Sequence, residues 1–158
     1  MFVSHKYIVI NLVSISVAVT LAACSESKVS QCERLIQAVN KGTGLIDKSK
    51  GNQVTTSLKL AQDLQAVTKE IKEMNLKDPK LQEFQTSFVK VFEIFNQSIA
   101  EAAKALNSTK TADSSSNVGK AAIQKARGDI DTTLTKAQTA AKQSDKLASG
   151  MNNYCKQQ

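Results

Sequence analysis

The sequence predicts an all-α protein: an antiparallel up-down-up-down four-helix bundle behind an N-terminal signal peptide. Three observations predict it. Apolar residues recur at steps of three and four in four separate segments, with turn-forming residues between them. The 135 residues left after a 23-residue leader (of 158 in all) suit one hydrophobic core and are too few for two. Two cysteines, Cys32 and Cys155, sit near the start of the first segment and the end of the fourth, which an antiparallel bundle brings to one pole.

Residues 1–23 have the layout of an export signal. Met1 to Lys6 is weakly positive. Tyr7 to about Thr20 is apolar and uncharged, and the small residues Ala22 and Ala23 precede Cys24. Leu21-Ala22-Ala23-Cys24 resembles the bacterial lipobox. That resemblance implies diacylglyceryl transfer to the Cys24 thiol, cleavage before Cys24 and, usually, acylation of the new amine. Two other readings stay open: an ordinary secretory signal with a Cys after its cut, and an uncleaved membrane helix. The second is strained, because an apolar run of about 17 residues is at the short limit for a bilayer. Ser25, rather than Asp, follows the Cys and favours an outer over an inner membrane in Gram-negative lipoproteins. The expected divisions are a signal peptide at 1–23, a tether at 24–29 and a single helical domain at 30–157.

The first helix is expected from Ser30, as N-cap of a Ser-Gln-Cys-Glu capping box closed by Glu33. Its apolar face reads Val29, Cys32, Ile36, Val39, Thr43 and Ile46. Gly42 and Gly44 weaken it by up to about 1 kcal/mol each. Lys48 to Asn52 reads as a turn. The second helix, about 53–75, carries Ser57, Leu60, Leu64, Val67, Ile71 and Met74 on one face and charged residues on the other. Asp78-Pro79 restarts the chain, with Asp78 as cap and Pro79 at the first helical position.

The third helix, about 79–107, is the heaviest. Leu81, Phe84, Phe88, Val91, Phe92, Phe95, Ile99, Ala102 and Leu106 form one stripe. Its four Phe side chains alone represent about 15–25 kcal/mol of gross burial, so the core is centred here. Phe84, Phe88, Phe92 and Phe95 would also be the walls of a ligand pocket if the bundle held one. Ser108 to Asn117 reads as a loop, and a fourth helix follows to about Tyr154. Its expected face is Ile130, Leu134, Ala137, Ala141, Ser144, Ala148, Met151 and Cys155: small residues suited to a bulky neighbour.

At their common pole Cys32 and Cys155 are expected to form a disulfide, which an exported compartment permits. A five-residue tether, 25–29, spans only about 17 Å, so the disulfide pole stands near the bilayer. Lys142, Lys146 and Lys156 are the expected contacts to acidic headgroups.

The residues after the leader contain no His and no Trp, since His5 is the sole His of the chain. Histidine-based acid–base chemistry and His-ligated metals are therefore excluded. No Cys-x-x-Cys, Gly-rich phosphate loop or Gly-x-Ser-x-Gly occurs. Neither a catalytic residue, a metal nor a cofactor is expected. The side-chain charge after the leader is +6, from 20 basic and 14 acidic residues, and residues 110–158 supply +4 of it. Without aromatic–basic interleaving this does not read as a nucleic-acid binder. The sequence is silent on oligomeric state.

Gln31-Cys32 with Leu35-Ile36 and Val39-Asn40-Lys41, the Leu-Lys-Asp-Pro-Lys-Leu-Gln turn at 76–82, and Asn153-Tyr154-Cys155 resemble a group of uncharacterised cyanobacterial lipoproteins. The resemblance implies an exported helical domain and supplies no activity. The expected function is a non-enzymatic interaction module: exported, held by lipid on Cys24 at an inner or outer membrane, and working through an unidentified envelope protein. The alternative is a carrier of a small apolar ligand between the helices.

Overall fold

A computed structural model describes residues 26–49 and 54–157. The leader, Cys24 and most of the turn after Lys48 lie outside the described residues. Four helices and no strand are found among the described residues: α1 (Lys28–Lys48), α2 (Val54–Lys72), α3 (Pro79–Thr111) and α4 (Asn117–Lys156). They form an all-α four-helix bundle, as the periodicity predicts.

The bundle is built around α3. Phe88, Phe92, Val91 and Leu81 are fully buried and Phe95 nearly so. α2 and α4 both pack along α3, and among the described residues their backbones do not approach within 8 Å of each other. α1 lies mainly on α2 and meets α3 and α4 only lightly. From α2 the core receives Leu64, Val67 and Ile71; from α1, Leu35, Ala38 and Val39; from α4, Ala140 and Met151. Leu76, in the turn after α2, is 3% exposed and plugs one end.

Helix lengths are unequal. α1 ends beside Phe95, where Ile46 and Asp47 share a shallow groove with Phe95, Ala141 and Ser144. α3 continues 16 residues past Phe95 to Thr111, about 24 Å at 1.5 Å per residue. α4 runs alongside it, and Glu101 faces Lys136 at 3.8 Å. The buried side chains of this outer part are small: Ser98, Ala103, Ala105, Ala126 and Thr133.

Several local expectations are corrected. α1 starts earlier: Ser27 is the N-cap, its hydroxyl accepting from the Ser30 N–H at 3.2 Å, so the Ser30–Glu33 capping box does not form. Glu26, within hydrogen-bonding reach of Ser30 and Arg34, takes up the polar groups of that turn. The buried face of α1 is Gln31, Cys32, Leu35, Ala38, Val39 and Gly42. Val29, on the expected face, is 41% exposed. α3 extends through Thr111, and the connection to α4 is only residues 112–116.

The α4 face is as expected at Ser144 and Met151, which are buried, and at Ala137, Ala148 and Cys155, which pack against the core, but it departs at other positions. Leu134 is 53% exposed and Ala141 is exposed, while Ala126, Thr133 and Ala140 are buried. These recur every seven residues, the spacing of a seam between two long helices. Side-chain size misdirects the reading here: the seam with α3 is narrow enough for Ala and Thr, and Leu134 does not fit it.

Gly42 shows the same close approach. A Cβ placed there would lie 2.5 Å from the ring of Phe92 and 3.2 Å from Val67, whereas one at Gly44 meets nothing within 4 Å. Gly42 is therefore required by packing, and Gly44 only weakens the helix. Gly42→Ala is expected to lower unfolding free energy by about 1–3 kcal/mol through overpacking. Gly44→Ala is expected to raise it by up to about 1 kcal/mol. Urea unfolding of the two variants checks both signs. In the same assay Leu134→Gln should stay within about 0.5 kcal/mol of the parent, as a surface substitution does; a large loss would restore Leu134 to the core.

Candidate functional site

The end of the bundle where α1 begins and α4 ends is the most elaborately bonded part of the molecule. Cys32 and Cys155 stand there at disulfide distance, with Sγ–Sγ 2.05 Å, Cα–Cα 6.0 Å and a separation of 123 positions along the chain. Cys32 is 3% exposed, on the inner face of α1.

Gln31 is the polar hub beside it. Its side chain is buried, and its Oε1 accepts from the backbone N–H groups of Lys77 (2.6 Å) and Asp78 (3.0 Å). Its Nε2 donates to the Glu26 carbonyl at 3.0 Å. One side chain therefore ties the entry of α1 to the α2–α3 turn. Such an amide is worth keeping buried only when its donors and acceptors are satisfied, and no described buried side-chain polar atom lacks a partner.

Two further amides close the turn. Gln85 Nε2 donates to the carbonyls of Ile71 (2.6 Å) and Met74 (2.7 Å), which satisfies acceptors left over where α2 ends. Gln82 Nε2 donates to Leu76 O at 2.8 Å. Asp78 caps α3 as expected: its Oδ1 accepts from the Leu81 N–H at 2.9 Å, with Pro79 in the first turn. Its Oδ2 accepts from the Tyr154 hydroxyl at 2.8 Å, joining α3 to α4. The Lys28 ammonium lies 3.8 Å from the centre of the Tyr154 ring and donates to the Gln157 carbonyl at 3.3 Å. Phe84, half-buried, packs on Tyr154 with ring centres 6.3 Å apart. Arg34 forms a two-pronged pair with Glu26, at 2.7 and 2.6 Å, and donates to Asn75 O at 3.1 Å.

These contacts set the local titration. The hydrogen bonds from Arg34 hold Glu26 below the ordinary carboxylate value against some desolvation, helped by the Ser30 hydroxyl and the Arg34 charge. Desolvation pushes Asp78 upward. The Leu81 N–H, the Tyr154 hydroxyl, the Lys80 N–H and the Lys28 charge together outweigh it and hold Asp78 low. Tyr154 is raised, first by its bond to Asp78, then by desolvation and by the Asp78 charge.

The expected headgroup lysines are not together. Lys156 is at the pole, but Lys142 is 14 residues back along α4, about 21 Å away. Its neighbours Ala141 and Asp145 line the groove at the level of Phe95. The basic residues of the pole are instead Lys28, Arg34, Lys77, Lys80 and Lys156, because the α2–α3 turn and the start of α1 share it.

Of the aromatic stripe, Phe88 and Phe92 are fully enclosed by core side chains, Phe95 is 8% exposed and Phe84 belongs to the pole. In the surface grooves on the α3–α4 seam and between α1 and α2 none of the four takes part, and only Phe95 lines the α1–α4 groove. Among the described residues no group of three or more His, Cys, Asp or Glu side chains can hold a metal, and no described helix is long and apolar enough to cross a membrane. No protein-family model, curated protein or solved structure matches the chain.

Sequence reading missed Gln31, Gln85, Arg34–Glu26 and Tyr154–Asp78. Asn153-Tyr154-Cys155 and Gln31-Cys32 were visible as the polar neighbours of the paired cysteines, which is the available signal.

Two outcomes follow for the pole. The Cys32→Ala/Cys155→Ala variant is expected to lose about 2–5 kcal/mol of stability; reduction should cost the parent a similar amount and leave the variant unchanged, as thermal melts with and without reductant report. For the Tyr154–Asp78 bond, the folded state holds Asp78 low and Tyr154 high. The stabilisation is therefore present above the ordinary Asp value and lost as pH falls through the lower folded one. It is also present below the ordinary Tyr value of 10.0 and lost as pH rises through the higher folded one. The stability difference between the parent and Tyr154→Phe should be widest between about pH 5 and 9 and shrink on both sides, measured by urea midpoints across pH.

Proposed function

We propose that the protein is a lipid-anchored, non-enzymatic interaction module of a bacterial envelope. The bundle stands on its disulfide pole, and the α3–α4 pair reaches away from the membrane. The observation that carries this reading is the place of the pole: Glu26, two residues after the lipobox Cys24, is bonded into it. The lipid would thus sit at one end of a rod whose longest helix, 40 residues, measures about 60 Å. Such a geometry presents the far end to whatever lies across the compartment. The filled interior supports this over the carrier reading, since Phe88 and Phe92 have no free face for a guest.

A native mass spectrum of the protein extracted gently from its membrane tests the reading. The expected result is a chain beginning at Cys24, carrying acyl groups, with no small molecule retained. A chain without acyl groups removes the anchor. A discrete bound apolar molecule, lost when Phe92 is replaced by Ala, turns the reading to the carrier.

A further inference from the structure

We infer that the groove between the end of α1 and α4 is a socket for one basic side chain, arginine or lysine, of a partner protein. The inference rests on the interaction-module reading and deepens it by giving the partner its chemistry. Asp47 of α1 and Asp145 of α4 line this groove, together with Ile46, Phe95, Ala141 and Ser144. Both carboxylates are without an ion-pair or hydrogen-bond partner among the described residues. The groove offers about 240 Å³. Sites for drug-sized ligands run to about 300–1,000 Å³, so this one suits a single side chain.

Ser144 is the independent sign of a guest. It is 6% exposed, yet its hydroxyl bonds to nothing among the described residues. The buried hydroxyls of Thr68 and Thr133 donate to carbonyls of their own helices, Leu64 O at 2.7 Å and Ile130 O at 2.8 Å. That is the ordinary outlet for a buried hydroxyl on a helix. No fully enclosed side-chain polar atom of the described residues lacks a partner. The Ser144 hydroxyl therefore opens outward, and the groove is what it lines. Ser98 is unpaired as well, but the groove it lines has no carboxylate. The Thr43 hydroxyl, also in the socket, is already bonded to Asn40 O at 3.1 Å.

The lysines nearby in sequence do not fill the socket. At about 100° per residue, Lys142 and Lys146 lie about 60° and 100° round α4 from Asp145, away from Ala141 and Ser144. Lys48 lies about 100° round α1 from Asp47, away from Thr43 and Ile46. None of the three lines the groove or pairs with either carboxylate. Lys50 lies outside the described residues. The end of α1 adds the partial negative charge of its last carbonyls, and the Phe95 ring favours a cation beside it. Carboxylates accept, and a guanidinium or ammonium only donates, so charge and bonding both match a basic side chain. In the anchored orientation the groove lies about 21 Å along α4 from Cys155, above the headgroups and within a neighbouring protein's reach.

The test uses isotope-labelled protein extracted whole in a neutral detergent, with backbone amide NMR shifts as the readout. The probe is N-acetyl-arginine amide, and N-acetyl-citrulline amide is the control of the same shape without charge. Saturable shifts at Thr43, Asp47, Ala141, Ser144 and Asp145 are expected with the first and not with the second. Asp47→Asn, Asp145→Asn and Ser144→Ala should each weaken binding about threefold. Asp131→Asn, which removes an unpaired acid of α4 outside the groove, should leave it unchanged; thermal melts verify that every variant is folded. Equal shifts with the citrulline amide overturn the inference, as does an equal loss in Asp131→Asn. Tighter binding in Lys50→Gln makes the chain's own lysine the occupant and also overturns it. So does a dimer in sedimentation that Asp47→Asn/Asp145→Asn abolishes, since the occupant is then a second copy. Acylation and bound apolar molecules are read separately by mass, so a failure of the anchored module and a failure of the socket are told apart.

Discussion

The structure depends on burying the aromatic stripe of α3. Phe88 and Phe92 have no exposed surface, and one helix cannot hide such a stripe alone. α2 and α4 cover its flanks, and α1 is fitted over what remains, close enough that only Gly is accommodated opposite Phe92. The other helices are arranged by what that stripe requires. Bulky aliphatic residues on α2 fill space, and small residues on α4 yield it. Where the aromatic residues stop, α1 stops as well, and the remaining part of α3 pairs with α4 through Ala, Ser and Thr.

Polar chemistry is concentrated at one end. Helix starts and ends leave backbone groups unpaired, and at this pole the starts of α1 and α3 meet the ends of α2 and α4. Gln31, Gln85 and Gln82 each satisfy backbone groups of a neighbouring segment, and Asp78 caps the start of its own helix α3. Glutamine serves here because its amide both donates and accepts without carrying charge, so it can be buried more cheaply than an ion. The salt bridges elsewhere, such as Lys59–Asp63 and Lys125–Asp129, are exposed pairs along a helix and contribute little.

Legibility in the sequence followed side-chain size. α2 and the aromatic part of α3 were readable because large apolar residues at three-four spacing leave one choice of face. The cysteines were readable as a pair because bundle topology brings their ends together. The first half of α4 misled, since among its Ala and Thr residues Leu134 draws the eye to a position that is in fact wet. α1 misled for a related reason: Gly42 marks its buried side by lacking a side chain, which no hydrophobic count registers. The polar network of the pole joins residues 46 and 76 positions apart, beyond any local pattern.

The Cys32–Cys155 pairing has a consequence in time. With the two thiols 123 positions apart, the bridge cannot close until nearly all of this chain has been synthesised and, under the anchored reading, exported. Throughout that interval Cys32 waits as a free thiol. The nearest cysteine is Cys24, eight residues upstream and present from the start. Under the anchored reading, a lipid on that sulfur removes it from the competition. Attachment to the membrane would then also act as a protecting group, leaving Cys155 as the one thiol with which Cys32 can pair.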